Sequence, residues 1–226
     1  MASKLLRYTF LTLVVLLQGC ANDYSAKPIE AWVIDADTKQ PIEGVNVAAQ
    51  WDLEYGLEGG GAFPLTILET VSDKNGRFYF PAWGPKQILD DLPSEARLKN
   101  NDPAIQFFKS GYRVLELRND RPIDSMWGHG SSLRSSNWDG KKIQMTKLQG
   151  THEEYGVLLP GFYFLTSSRH CEWKYLPRMI VAIDNEYRRL KEQKIEFYDD
   201  GFSGIQGLPN QPQCGSAESF FKEYMK

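Results

Sequence analysis

Histidine is scarce in this chain. Only His129, His152 and His170 occur in 226 residues. A zinc hydrolase needs a close His pair or a His-x-x-Glu pair on one face of an element. His152-Glu153-Glu154 has no second histidine four residues on, and no histidine is followed at i+3 by Glu. His170-Cys171 would hold a metal only with a reduced thiol. A Gly-x-Ser-x-Gly nucleophile elbow is also missing. Gly128-His129-Gly130-Ser131-Ser132 gathers the right residue types, but no strand–turn–helix frame surrounds it. The doublets Glu153-Glu154 and Asp199-Asp200 read as solvated loops, because adjacent side chains of an extended stretch point to opposite faces. A basic excess is absent too. Lys and Arg number 26 against 29 Asp and Glu, which argues against nucleic acid as a partner. The expectation is no metal, no cofactor and no catalytic residue.

Apolar runs are short. The longest begins at Phe10 and ends at Leu17, after the cations Lys4 and Arg7. That is too short for a membrane-spanning helix, which needs about 20 residues. Positive start, apolar centre and small-residue end are the parts of a secretory signal. Leu17-Gln18-Gly19-Cys20 is similar to a lipobox, in which the cysteine is acylated and becomes the first residue of the mature chain. The resemblance implies a signal peptide over 1–19, lipid attachment at Cys20 and contact with a membrane through that lipid. Ala21, rather than Asp, resembles the pattern sorted to the bacterial outer membrane, on its periplasmic or surface face. Residues 1–19 hold two of the 26 basic residues and none of the acidic ones, so 24 remain against 29, a balance of −5.

Cysteine is also rare, at three residues. With Cys20 set aside, Cys171 and Cys214 remain as an even pair, in a compartment that permits disulfides. They are expected to bond to each other. Two buried free thiols are the other reading.

The mature chain opens with a polar tether at 20–27. Ile29 to Asp35 alternates as a strand, and Asp35 to Pro41 is turn chemistry. Ile42 to Trp51 returns with period two, placing Val45, Val47 and Ala49 on one face and Asn46, Ala48 and Gln50 on the other. Residues 52 to 63, with Gly59-Gly60-Gly61, read as a loop. Leu65 to Val71 is a strand, and the Asn75-Gly76 pair signals a hairpin into Phe78-Tyr79-Phe80. Pro81 to Asp102 reads as irregular with a short helix near 94–100. Strands follow at 104–108, 112–117 and 142–148. Beyond, Met179, Ile180, Ile183, Tyr187 and Leu190 form a helical stripe with cations at its end. Ser216 reads as the N-cap of a second short helix. Asp35, Asp37 and Asp73 cap turns or, if gathered at one end, could bind calcium. Trp51, Tyr55, Trp83, Trp127 and Trp138 sit in or beside loops, where they either close the core or form a partner surface.

Three segments carry a further resemblance. Ala31 to Val47 contains Pro41-Ile42-Glu43-Gly44-Val45-Asn46-Val47. Ser72 to Phe78 reads Ser-Asp-Lys-Asn-Gly-Arg-Phe. Phe107 to Tyr112 contains Lys109-Ser110-Gly111-Tyr112. In this order they resemble carboxypeptidase regulatory-like domains over about 28–118, with Ala31 where that family usually has Gly. The resemblance implies a transthyretin-like antiparallel β-sandwich, assigned here to 28–148, followed by a helical tail at 149–226. It implies structural roles for its turn residues and no activity. The expected function is a membrane-anchored, non-catalytic binding or assembly module of the bacterial envelope with a protein or glycan partner. The rival is an envelope hydrolase of peptide or glycan, with its site between sandwich and tail.

Overall fold

The computed structural model describes residues 23–56, 61–88, 92, 96–120, 132–150, 171–195, 204–208 and 211–225. Its strands are β1 (Tyr24–Ala26), β2 (Ile29–Asp35), β3 (Asn46–Tyr55), β4 (Gly61–Val71), β5 (Arg77–Phe80), β6 (Trp83–Lys86), β7 (Arg97–Leu98), β8 (Ala104–Phe108), β9 (Leu115–Leu117), β10 (Leu133–Arg134) and β11 (Lys142–Met145). Among the described residues the α-helices are α1 (Pro177–Glu192) and α2 (Ala217–Phe221). The protein is mainly β with a helical C-terminal part.

Among the described residues the strands form three sheets, ordered β11-β2-β5, β4-β3-β8-β9 and β10-β1-β6, with β7 also paired to β3. Alternation explains the first. Ile29, Ala31 and Val33 of β2 are buried while Glu30, Trp32 and Ile34 are half-covered. Phe78 and Phe80 of β5, and Ile143 and Met145 of β11, point the same way. They meet Val47, Ala49, Trp51 and Leu53 of β3 and Ile105 and Phe107 of β8 in one core. Phe78 sits edge-on to both Phe80 and Phe107, at 5.8 and 5.6 Å between ring centres. Full burial of each such ring stabilises the fold by roughly 2–3 kcal/mol.

The structure departs from the sequence expectations at several places. β3 is covered on both faces, not one: Ala48 packs with Ile67, Ala104 and Phe108 against Met179, Ile180 and Ile183 of α1. The helical tail turns the expected outer face of the sheet into a second core. The loop expected at 52–63 is mostly sheet, since β3 and β4 pair from Asn46↔Val71 out to Tyr55↔Gly61. Asn75-Gly76 does not join a hairpin. β4 pairs with β3 and β5 with β2, so the turn is a corner between two sheets. Only Gly76 takes positive φ there, at 71°, and a Cβ on it would collide with the Val33 carbonyl. Asp73 makes this geometry by accepting the Asn75 and Arg77 amides at 2.8 and 2.9 Å.

At 94–100, Arg97 and Leu98 pair with Glu54 and Leu53 as β7, not as helix. The tether is shorter than expected, because Tyr24–Ala26 is already strand β1 with Tyr24 and Ala26 buried. The sheets are mixed, not antiparallel throughout: β11 runs parallel to β2, and β10 parallel to β1.

Candidate functional site

Most acids that the fold buries lie in two groups. The first is where β3, β7, β8 and the loop after β9 converge. Asp102 is fully buried, beside Asp52 at 6 % exposure and Gln50 at 9 %. The Asp52 amide donates to Asp102 Oδ2. Gln50 Nε2 donates to Asp52 Oδ1 at 2.5 Å, and Lys99 Nζ lies 3.4 Å from Asp52 Oδ2. Arg118 approaches Asp102 Oδ1 at 3.7 Å. Asn119 ties the group to the loops, donating to the carbonyls of Asp102 and Ser135 at 2.7 and 2.9 Å and accepting from the Asn137 amide. Burial, and then the neighbouring Asp52 charge, push the Asp102 carboxyl up to about 8. A neutral acid beside a carboxylate is the composition of an acid–base pair. A pair of that kind needs access to substrate, and here both carboxyls are enclosed by their own chain.

The second group joins the tail to the sheet. Leu176, which precedes α1, offers no side-chain cap to the helix. Glu69 of β4 supplies it, accepting the Met179 and Arg178 amides at 2.5 and 3.1 Å. Burial raises the Glu69 carboxyl and these amides oppose the rise. On α1 itself, buried Asp184 accepts the Ile205 amide at 2.9 Å and pairs with Arg188 at 2.7 Å. Buried Glu186 accepts from Ser110 and Arg189, each at 2.8 Å. Below them the junction is filled by the apolar second core.

Cys171 and Cys214 form a disulfide, with Cα atoms 5.4 Å apart. The bond clamps the 3-10 turn at Glu172–Tyr175 to the segment before α2. Trp173 meets Phe220 edge-on at 5.2 Å beside it, with Lys174 over both rings. Ser216 caps α2 through the Ser219 amide, as its position implies. A hollow of about 250 Å³ opens next to it, lined by Ile205, Gln206, Leu208, Ser216, Ala217 and Glu218.

Of Asp35, Asp37 and Asp73, the first and last hold turns through their carboxyls. Asp35 accepts the Asp37 and Thr38 amides and the Tyr112 hydroxyl, and Lys147 stands 3.4 Å away. The Thr38 amide and the Tyr112 hydroxyl hold its carboxyl well below the usual carboxylate range. Asp73 caps its own turn, and Asp37 is exposed. Among the described residues no three His, Cys, Asp or Glu side chains gather as metal ligands. Trp51 is buried and meets Trp83 edge-on at 5.3 Å, so these two close the core. Trp138 donates to the Arg118 carbonyl at 3.0 Å. Cys20, Trp127, His129, Ser131, His152, Glu153, Glu154, His170, Asp199 and Asp200 lie outside the described residues. Sequence reasoning missed the Asp52–Asp102 group. Its residues carry no sign of it in the sequence: Gln50 falls on the strand face opposite Val45, Val47 and Ala49, Asp52 in the stretch expected as loop, and Asp102 in the stretch expected as irregular.

No protein-family model matches the chain, and no curated protein matches it. Among solved structures it is similar to a mutant catechol 1,2 dioxygenase of Acinetobacter radioresistens, at 14 % identity and a TM-score of 0.31 over 56 % of this chain and 53 % of that one. It is also similar to a 9R-lipoxygenase of Cyanothece, at 11 % identity and a TM-score of 0.27 over 85 % of this chain and 27 % of the other. The chain thus spans about half the length of the first and about a quarter of the second. Likenesses this distant carry no argument, and what the described residues present is a mainly β, disulfide-braced fold in which the buried Asp35, Asp52, Asp102, Asp184 and Glu186 each bond to a group of the same chain.

Proposed function

We propose that the chain is a membrane-anchored lipoprotein of the bacterial envelope that works as a non-catalytic binding or assembly module. The observation that carries this reading is the Cys171–Cys214 disulfide. It uses both cysteines other than Cys20 and leaves the thiol of Leu17-Gln18-Gly19-Cys20 for lipid. A structural disulfide suits a chain that folds outside the cytoplasm. The fold is read as a transthyretin-like sandwich of the carboxypeptidase regulatory-like kind. Supporting that, its three resembling segments meet at one end of the core. Ser72 Oγ donates to the Ile42 carbonyl and accepts the Val45 amide, the Val33 amide donates to the Gly76 carbonyl, and Tyr112 reaches Asp35.

Against a hydrolase stands the junction of sheet and tail, where the described residues are apolar packing and engaged carboxylates. The test is crosslinking of the full-length protein in intact cells, followed by capture and mass spectrometry. One stoichiometric envelope partner is expected. Capture of no partner, together with turnover of a peptide or glycan by the purified protein, would overturn the reading in favour of an enzyme.

A further inference from the structure

Strand β1 begins at Tyr24, only four residues after Cys20. Four residues of fully extended chain reach at most about 14 Å. Tyr24 and Ala26 are buried, and β1 is paired on both sides, to β6 and β10. The tether therefore cannot lengthen by giving up loose residues. A lipid at Cys20 sets that residue at the membrane surface, and the β10-β1-β6 sheet must stay within this short reach of it.

The charge of this sheet differs from that of the whole. Beyond residue 19 the chain has 24 basic and 29 acidic residues. The described charged residues on the three strands and directly flanking β1 are Asp23, Lys27, Lys86 and Arg134, three cations to one anion. Arg134 is buried, with its guanidinium 5.9 Å from the Tyr24 ring centre and a bond to the Leu98 carbonyl. Lys27 and Lys86 are exposed. Lys86 sits opposite Tyr24 in the register, at the end of the sheet where the chain from Cys20 arrives. Leu133, opposite Ser25 on the other side, is 47 % exposed. A short tether thus holds this small sheet near the surface, with Asp23, Lys86 and Leu133 at its Tyr24 end and Lys27 at its Ala26 end, and brings the Tyr24 end to within one or two screening lengths, about 8 Å each at physiological salt. Cations placed there are drawn to anionic headgroups.

We infer that the β10-β1-β6 sheet, through the exposed Lys27, Lys86 and Leu133, lies on the anionic headgroup surface of the membrane that holds the lipid of Cys20, fixing the orientation of the protein. The inference rests on the lipoprotein reading above. It leaves the two-core body facing away from the bilayer, available to a partner.

The test uses full-length protein purified from membranes and placed in vesicles of phosphatidylethanolamine and phosphatidylglycerol. A water-soluble amine reagent is applied, and modification is read residue by residue by mass spectrometry. Lys27 and Lys86 are expected to react several-fold more slowly on vesicles than in detergent, with the protection weakening as salt rises. Lys191, exposed at the end of α1, should react equally in both. A variant with a long Gly/Ser insertion between Ala21 and Asn22 should keep its lipid and lose the protection. If the N-terminal peptide carries lipid and Lys27 and Lys86 react like Lys191, the orientation is wrong and the anchor stands. If that peptide carries no lipid, both fall.

Discussion

The Tyr112 hydroxyl donates to Asp35 Oδ2 at 2.9 Å, across 77 residues of sequence. The contact joins the turn after β2 to the turn after β8. Asp35 Oδ1 meanwhile accepts the Thr38 and Asp37 amides at 2.8 and 3.0 Å. One carboxylate thus fixes its own turn and ties down a distant one. Burial and the hydrogen bond to Asp35 push the Tyr112 hydroxyl up to about 12, so it stays a donor throughout the working range. Because the Asp35 carboxyl is depressed in the fold, its contribution is present above the ordinary Asp value of about 3.9 and is lost as pH falls toward the folded value. Tyr112→Phe is expected to lower Tm by a few degrees at neutral pH. It should also flatten the acid limb of the stability curve, as read by thermal melts from pH 2 to 7.

Asp102 behaves in the opposite sense. Its folded value of about 8 lies above the unfolded one of 3.8. Between those values the folded state holds a proton that the unfolded state has released, so stability falls as pH rises from about 4 to about 8. Asp102→Asn keeps an acceptor for the Asp52 amide and removes the ionisation. Urea melts should show the variant gaining about 1 kcal/mol or more on the native protein between pH 5 and pH 8.5. An unchanged difference across that range would show that Asp102 is ionised in the fold, paired with Arg118.

Glu69, from β4, is the cap that Leu176 cannot give α1. Glu69→Ala should cost about 1–2 kcal/mol, the usual range for losing an N-terminal cap. Glu69→Gln, which still accepts one amide, should cost less. Hydrogen exchange should place the loss in α1 and not in the β2–β5 pair.

The disulfide closes a separation of 43 residues. In the chain-entropy model, replacing Cys171 and Cys214 by Ser should cost about 2–4 kcal/mol. Amides of α2 and the 3-10 turn at Glu172–Tyr175 should lose protection first, because that turn and α2 flank the two cysteines.

Local sequence revealed the parts of this fold that local physics controls. β2 alternates cleanly because one face meets the core and the other stays half-covered. The stripe of α1 and the Ser216 cap follow from spacing alone. The cysteine pair followed from counting. Long-range packing stayed hidden. Nothing in the sequence near Ala48 says that a helix 130 residues later will cover it. Asn75-Gly76 has the chemistry of a hairpin, yet β5 finds β2 and not β4, because Phe78 and Phe80 reach the core only from that sheet. Asp52 and Asp102 are 50 residues apart, and their meeting depends on the pairing of β3 with β8.

The most direct test of the lipoprotein account is metabolic labelling with radioactive palmitate, comparing the native protein with Cys20→Ala. The account predicts a labelled protein whose signal vanishes in the variant, together with a mature chain that begins at Cys20. Label that persists in Cys20→Ala, or a native protein without label, would contradict it.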